Sequence, residues 1–103
     1  MNDVKQIPST DVYVLRSLLD HKRYIGISDA TTQRIAQHNA GRVVSTRTRL
    51  PLVLIYTKRY ATRREARDRE KYFKSGAGRR FLNKVETPIW VEYLRSRACS
   101  SIG

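Results

Sequence analysis

With 103 residues the chain has room for a single domain with a modest core. Its 21 Lys and Arg against 9 Asp and Glu leave a formal charge of +12, far beyond what solubility requires, and predict a polyanionic partner. No run approaches the roughly 20 apolar residues of a membrane helix, residues 1–10 lack a signal-peptide core, and the lone Cys99 excludes an intrachain disulfide or cysteine zinc cluster, so a soluble cytoplasmic protein is expected.

Residues 1–10 are polar, contain Pro8 and read as a loose leader. Val12 to Arg16 is β-rich, Asp20, His21 and Lys22 supply a polar turn, and Tyr24 to Ser28 returns as a second strand. Asp29 is the expected N-cap of a helix from Ala30 to Asn39, which Gly41 closes in the left-handed conformation that ends many helices. A basic, hydroxyl-rich loop from Arg42 to Pro51 leads into Leu52 to Lys58, the most apolar run, predicted as the central strand.

Thr62, Arg63, Arg64 and Glu65 form a capping box, a hydroxyl and a carboxylate three residues apart that satisfy free amides at a helix start. The second helix is expected to run to Ser75 and stop at Gly76. Arg79 to Val85 reads as a short helical turn and Pro88 to Arg97 as a terminal helix, in which Trp90 and Tyr93 close the core, dock a partner or stack on a base. The order is β-β-α-β-α plus a C-terminal helical segment, an α+β pattern without repeats.

Residues 42–80 carry 13 Lys and Arg against 3 Asp and Glu, so most of the excess charge is gathered where a ligand can use it. In the second helix Ala66, Phe73 and Ala77 share a direction within about 20°, and Glu70 projects into that stripe. Glu70 either pairs with Arg69, Lys71 or Lys74 and reaches outward, or offers the single carboxylate that a hard divalent cation uses together with waters and phosphate oxygens. Arg34 and His38, four residues apart on the first helix, form either a solvated pair or a site in which Arg meets phosphate charge and His handles a proton or contacts phosphate. Tyr13 and Tyr24 are ordinary hairpin aromatics or the remaining hydroxyls of that site.

Taken together, these segments resemble the GIY-YIG nuclease family, most closely its small standalone bacterial members, from about Asp11 to Val85. The resemblance rests on Val12-Tyr13-Val14 followed by Leu15-Arg16-Ser17, on Tyr24-Ile25-Gly26, on Arg34-Ile35-Ala36-Gln37-His38-Asn39 with Gly41, on Ser45-Thr46 ahead of Pro51, and on Ala66 to Lys71 with Lys74, Ser75 and Gly76. It departs from the pattern at Val12, where the first motif lacks its glycine, and at Thr31, where an apolar residue would pack better. The resemblance implies a small three-stranded antiparallel sheet flanked by helices and hydrolysis of phosphodiester bonds with one divalent metal. It implies residues 11–85 as the nuclease domain and 86–103 as an extension.

Carried onto this chain, the family's roles make Glu70 the ligand of Mg²⁺ or Mn²⁺ and Arg34 the stabiliser of transition-state charge. Tyr13 and Tyr24 orient and deprotonate water, His38 contacts phosphate or moves a proton, and Asn83 matches a polar position near the domain's end. An unperturbed tyrosine, with a pKa of about 10, is a poor base at neutral pH, so the site has to lower that value or couple the phenol to the metal. Gly26 is expected to permit close approach rather than to act chemically. Arg42, Ser45, Thr46, Arg47, Arg49, Arg63, Arg64, Arg67 and Lys74 are the expected nucleic-acid contacts, a salt-sensitive grip without sequence information.

The predicted activity is therefore a metal-dependent endonuclease, on DNA first with RNA as the other substrate class, of low intrinsic sequence specificity and directed by structure or single strands. A protein partner is expected at the C-terminal extension and no membrane. The competing reading is a non-catalytic basic nucleic-acid-binding module; a structural protein of a ribonucleoprotein particle is a third. A pure binder has no use for a lone carboxylate facing phosphates.

Overall fold

The computed structural model describes residues 9–86. Three strands, β1 (Thr10–Ser17), β2 (Arg23–Ser28) and β3 (Leu52–Tyr60), alternate with helices α1 (Thr31–Asn39) and α2 (Arg63–Phe73), and residues 76–86 form a third helix, α3. The sheet is antiparallel with spatial order β2-β1-β3, in agreement with the α+β fold expected. The expected terminal helix from Pro88, with Trp90 and Tyr93, lies outside the described residues, as does most of the expected leader.

The central strand is β1, which corrects the expectation for Leu52 to Lys58. A central strand is buried on both faces, and Val12, Val14 and Leu15 have no exposure while Tyr13 retains 1%. β3 begins as apolar as β1, but its second half, Thr57, Lys58 and Arg59, is exposed, the charged finish that keeps an edge strand from pairing with another chain. A bulge between β1 and β3 leaves Ile55 without a partner in the ladder, and Ile55 turns into the core beside Val12 and Val14.

Alternation along β1 divides the core in two. Val12 and Val14 face Ala66 and Phe73 of α2 and Leu82 of α3, while Tyr13 and Leu15 face Leu52, Ile35 of α1 and Leu50. On the first side the Arg69 guanidinium lies 4.3 Å from the Tyr72 ring centre and 5.1 Å from that of Phe73, adding cation–π contacts to an aromatic cluster with Tyr56 and Phe81.

Local signals set most helix ends. Thr62 accepts from the Glu65 amide at 3.2 Å and Glu65 answers at the Thr62 amide, the capping box expected. Gly41 has φ +77°. Asp29, however, is not a cap: α1 starts one residue later with Ala30 at the N-cap, and Asp29 instead accepts from Thr10 at 2.7 Å and pairs with Arg63 at 3.4 Å. Thr31 opens the helix because its hydroxyl donates to Asp11 at 2.8 Å, so a polar residue suits that position.

Nor does Gly76 terminate α2. That helix ends at Phe73, and Ser75 accepts from the Gly78 amide at 3.2 Å to start α3 with Gly76 as its first residue. Ala77 therefore belongs to α3 and is exposed, and the apolar stripe ends at Phe73. At the end of α1, the Asn39 side chain bonds both the amide and the carbonyl of Leu52, fastening the helix to β3 across the basic loop.

Asp11 joins the strand ends to α1. Arg59 at 2.9 Å holds its carboxyl below the usual carboxylate range, opposed by burial and aided by Thr31. A carboxylate whose folded pKa lies below its unfolded value stabilises above the unfolded value, about pH 4, and loses that contribution as pH falls through and below it. Urea midpoints are expected to drop between pH 6 and pH 3, and less steeply in Asp11→Asn; equal slopes would assign the acid sensitivity elsewhere.

Candidate active site

Strand pairing brings the two tyrosines together. Tyr13 stands opposite Gly26 and Leu15 opposite Tyr24, so Tyr13 and Tyr24 share one face as diagonal neighbours, their ring centres 6.3 Å apart. Gly26 sets the direction of the Tyr13 ring. A Cβ at residue 26 would lie 2.6 Å from Tyr13 Oη and 2.7 Å from Cζ, so the phenol crosses β2 only because that residue has no side chain.

Helix α1 adds His38, fully buried, with its ring centre 4.9 Å from that of Tyr24 and 6.0 Å from that of Tyr13. Its Nε2 lies 3.2 Å from Tyr13 Oη and its Nδ1 2.8 Å from Thr46 Oγ1. Arg34, one turn earlier, is half-buried and donates to Gln37 at 3.1 Å. Burial raises the Tyr13 pKa, Arg34 opposes it, and the charges of Tyr24 and Glu70 add to the rise. Burial and the Arg34 charge lower that of His38. Both groups are therefore neutral near pH 7, and Tyr13 Oη has His38 Nε2 as its hydrogen-bond partner.

Glu70 comes from the opposite side of the sheet. β2 is an edge strand, and α2, packed on the other face of the sheet, carries the Glu70 carboxylate, 22% exposed and paired with Lys74 at 3.5 Å. Along that edge runs a cleft of about 510 Å³ lined by Tyr24, Lys22, Lys74, Arg79 and Asn83 among others. Asn83 Oδ1 accepts from Arg23 at 2.6 Å, and below it the nearly buried Glu86 pairs with both Arg16 and Arg23.

A family profile described as the GIY-YIG catalytic domain matches residues 11–85. The chain belongs to the GIY-YIG family. It is 34% identical over 76 residues to a UPF0213 protein of Staphylococcus haemolyticus, covering 73% of this chain and 92% of that protein. Over 64 residues it is 41% identical to a UPF0213 protein of Streptococcus pneumoniae, covering 61% of this chain and 64% of that one. The solution NMR structure of a UPF0213 protein from Bacillus halodurans superposes with a TM-score of 0.50 at 27% identity, covering 79% of this chain and 89% of that structure.

Within this GIY-YIG domain the residues expected to bind nucleic acid separate into groups. Arg42, Ser45 and Arg47 are exposed on the loop, and Arg64 and Arg67 are exposed on α2. Arg49 is engaged with Asp20 at 3.2 Å and Arg63 with Asp29, while Lys74 stands at the cleft. Thr46 is a correction. It has no exposure and its hydroxyl meets His38, so it offers no surface grip. His38 is likewise no part of a solvated pair, being sealed under the tyrosines.

Arg16, Lys22, Arg23, Arg79 and Glu86 have no role in the site expected from the sequence, yet the fold brings them to it. Lys22 and Arg79 look like ordinary surface charges in a turn and a helix, and only the fold of β2 against α3 makes them one wall. Arg16 and Arg23 sit at facing strand ends, a spacing that β pairing alone would have flagged.

Proposed function

We propose that the chain is a divalent-metal-dependent endonuclease that hydrolyses phosphodiester bonds, on DNA in preference to RNA, with low intrinsic sequence specificity. Residues 11–85 form its nuclease domain and residues 86–103 an extension through which a protein partner docks. The observation that carries the reading is a buried imidazole with its Nε2 3.2 Å from Tyr13 Oη and its ring beside Tyr24, one helical turn from Arg34. A basic binding surface requires none of these.

The residues fit a hard divalent ion. Among the described residues no group of three or more His, Cys, Asp and Glu converges, but Mg²⁺ takes one carboxylate with water and substrate oxygens, and Glu70 is half-buried and paired with Lys74, which lines the cleft. Glu70 would hold Mg²⁺ or Mn²⁺, with Lys74 giving up its ion pair to a phosphate. The ion supplies polarisation of the phosphoryl oxygens and a more acidic water.

Arg34 meets the charge that grows on the phosphoryl group, where a planar double donor suits two oxygens. Tyr24 positions the attacking water. Tyr13 receives the water's proton as its own passes to His38 Nε2, while the phosphorus–oxygen bond to the leaving group breaks and the departing oxygen takes a proton from solvent. Lys22, Arg79 and the arginines of the loop and α2 hold the flanking strand through phosphates, which fits low sequence specificity. The lone cysteine and the absence of an apolar membrane helix among the described residues accord with a cytoplasmic setting.

Purified protein is to be incubated with labelled single-stranded, duplex and branched DNA and RNA, with Mg²⁺, Mn²⁺ or EDTA, beside Arg34→Ala and Tyr13→Phe. Metal-dependent nicking that falls at least about 100-fold in both variants, while filter binding persists, is the expected result. Binding without cleavage of any substrate would establish the non-catalytic module instead.

A further inference from the structure

Thr46 lies in the basic loop, yet it and His38 have no solvent exposure, and the imidazole is held between two hydroxyls, Thr46 Oγ1 at 2.8 Å from Nδ1 and Tyr13 Oη at 3.2 Å from Nε2. A neutral imidazole carries one proton, and which nitrogen carries it is decided by these partners. Tyr13 is also buried, with 1% exposure, so its hydroxyl proton must be donated within the protein. Among the described residues the hydrogen-bond partner of Tyr13 Oη is His38 Nε2, which is therefore the acceptor for the phenol proton. The imidazole proton then sits on Nδ1.

We propose that Thr46 is a positioning residue that fixes His38 as the Nδ1–H tautomer by accepting its hydrogen bond, so that the unprotonated Nε2 is aimed at Tyr13 Oη. This inference rests on the nuclease reading for its consequence, since the tautomer matters to catalysis only if Tyr13 passes a proton to His38. Thr46 touches neither substrate nor metal. It acts through His38, as outer partners of a histidine commonly do. The loop is thus tied to the site from beneath: the Thr46 amide donates to Val43 and its carbonyl accepts from Arg49, so the hydroxyl is held by the loop's own turns. In the opposite tautomer Nε2–H would point at Tyr13 Oη and the phenol proton would lose its acceptor.

The test combines a spectroscopic and a kinetic measurement. Nitrogen-15 shifts of the His38 ring are recorded near pH 7 in the metal-free wild type, Thr46→Ser and Thr46→Val, with amide spectra to verify folding. Wild type and Thr46→Ser are expected to show an NH-type Nδ1 and a bare Nε2. Thr46→Val, close in shape but without the acceptor, is expected to move the proton to Nε2 in at least part of the population. Cleavage is expected to lose about tenfold or more in kcat with little change in KM for Thr46→Val, and to be largely kept in Thr46→Ser. A wild-type ring protonated on Nε2 overturns the proposal even if Thr46→Val does not fold, as does a folded Thr46→Val with an unchanged tautomer. Absence of cleavage by the wild type would defeat the nuclease reading instead, and the ring spectra would still decide the tautomer.

Discussion

Glu70→Ala is expected to reduce metal-dependent cleavage by at least about 1,000-fold while leaving nucleic-acid binding intact or slightly tighter. Loss of metal-assisted charge stabilisation worth several kcal/mol corresponds to a factor of that size, at tenfold per 1.4 kcal/mol. Binding is spared because the grip comes from arginines and lysines, and removing a carboxylate beside Lys74 frees that cation for phosphate. The fold is expected to survive, since Glu70 is partly exposed and its ion pair with Lys74 lies at the surface, where such pairs contribute little. Cleavage rates with Mg²⁺ and Mn²⁺, binding in EDTA and a thermal melt separate these effects. Undiminished cleavage by Glu70→Ala would remove Glu70 from the site and point to a contaminating nuclease.

Gly26→Ala tests the backbone beneath the tyrosine. The new methyl would meet Tyr13 Oη at 2.6 Å and Cζ at 2.7 Å, inside contact distance, and Tyr13 has little room to yield because it is packed between Leu15, Leu52 and His38. Overpacking of this kind costs about 1–3 kcal/mol. The same displacement breaks the Tyr13–His38 contact, so cleavage is expected to fall at least about tenfold under conditions where the variant remains folded. Urea unfolding and cleavage by the folded fraction measure the two consequences independently. A variant of wild-type stability and rate would show that the phenol does not depend on this close approach.

Much of the helix architecture was legible because its signals are local. The capping box at Thr62 needs only residues three apart, and Gly41 takes the left-handed conformation that glycine adopts without a Cβ. The end of α2 was misread for the same reason. Gly76 resembles a stop, whereas a Ser75 hydroxyl reaching the Gly78 amide starts a new helix in which Gly78 packs against Tyr72 and Phe73 too closely for any Cβ. Strand order was not legible. Leu52 to Tyr56 is as apolar as the core of β1, and what distinguishes them is the exposed charge of Lys58 and Arg59 and the position each strand takes beside its neighbours.

By itself the sequence determined the charge and the order of the elements, and its resemblance to the GIY-YIG family singled out Tyr13, Tyr24, Arg34, His38 and Glu70 as the expected site. Tertiary structure alone decided that β1 is central, that Tyr13 lies across Gly26, that His38 and Thr46 are buried together, and that β2 and α3 form a basic cleft. The physical reason is separation. Tyr13 and His38 meet across 25 residues and Arg16 and Glu86 across 70, and such contacts follow from which strand edges pair and which faces pack, not from periodicity or capping within any one element.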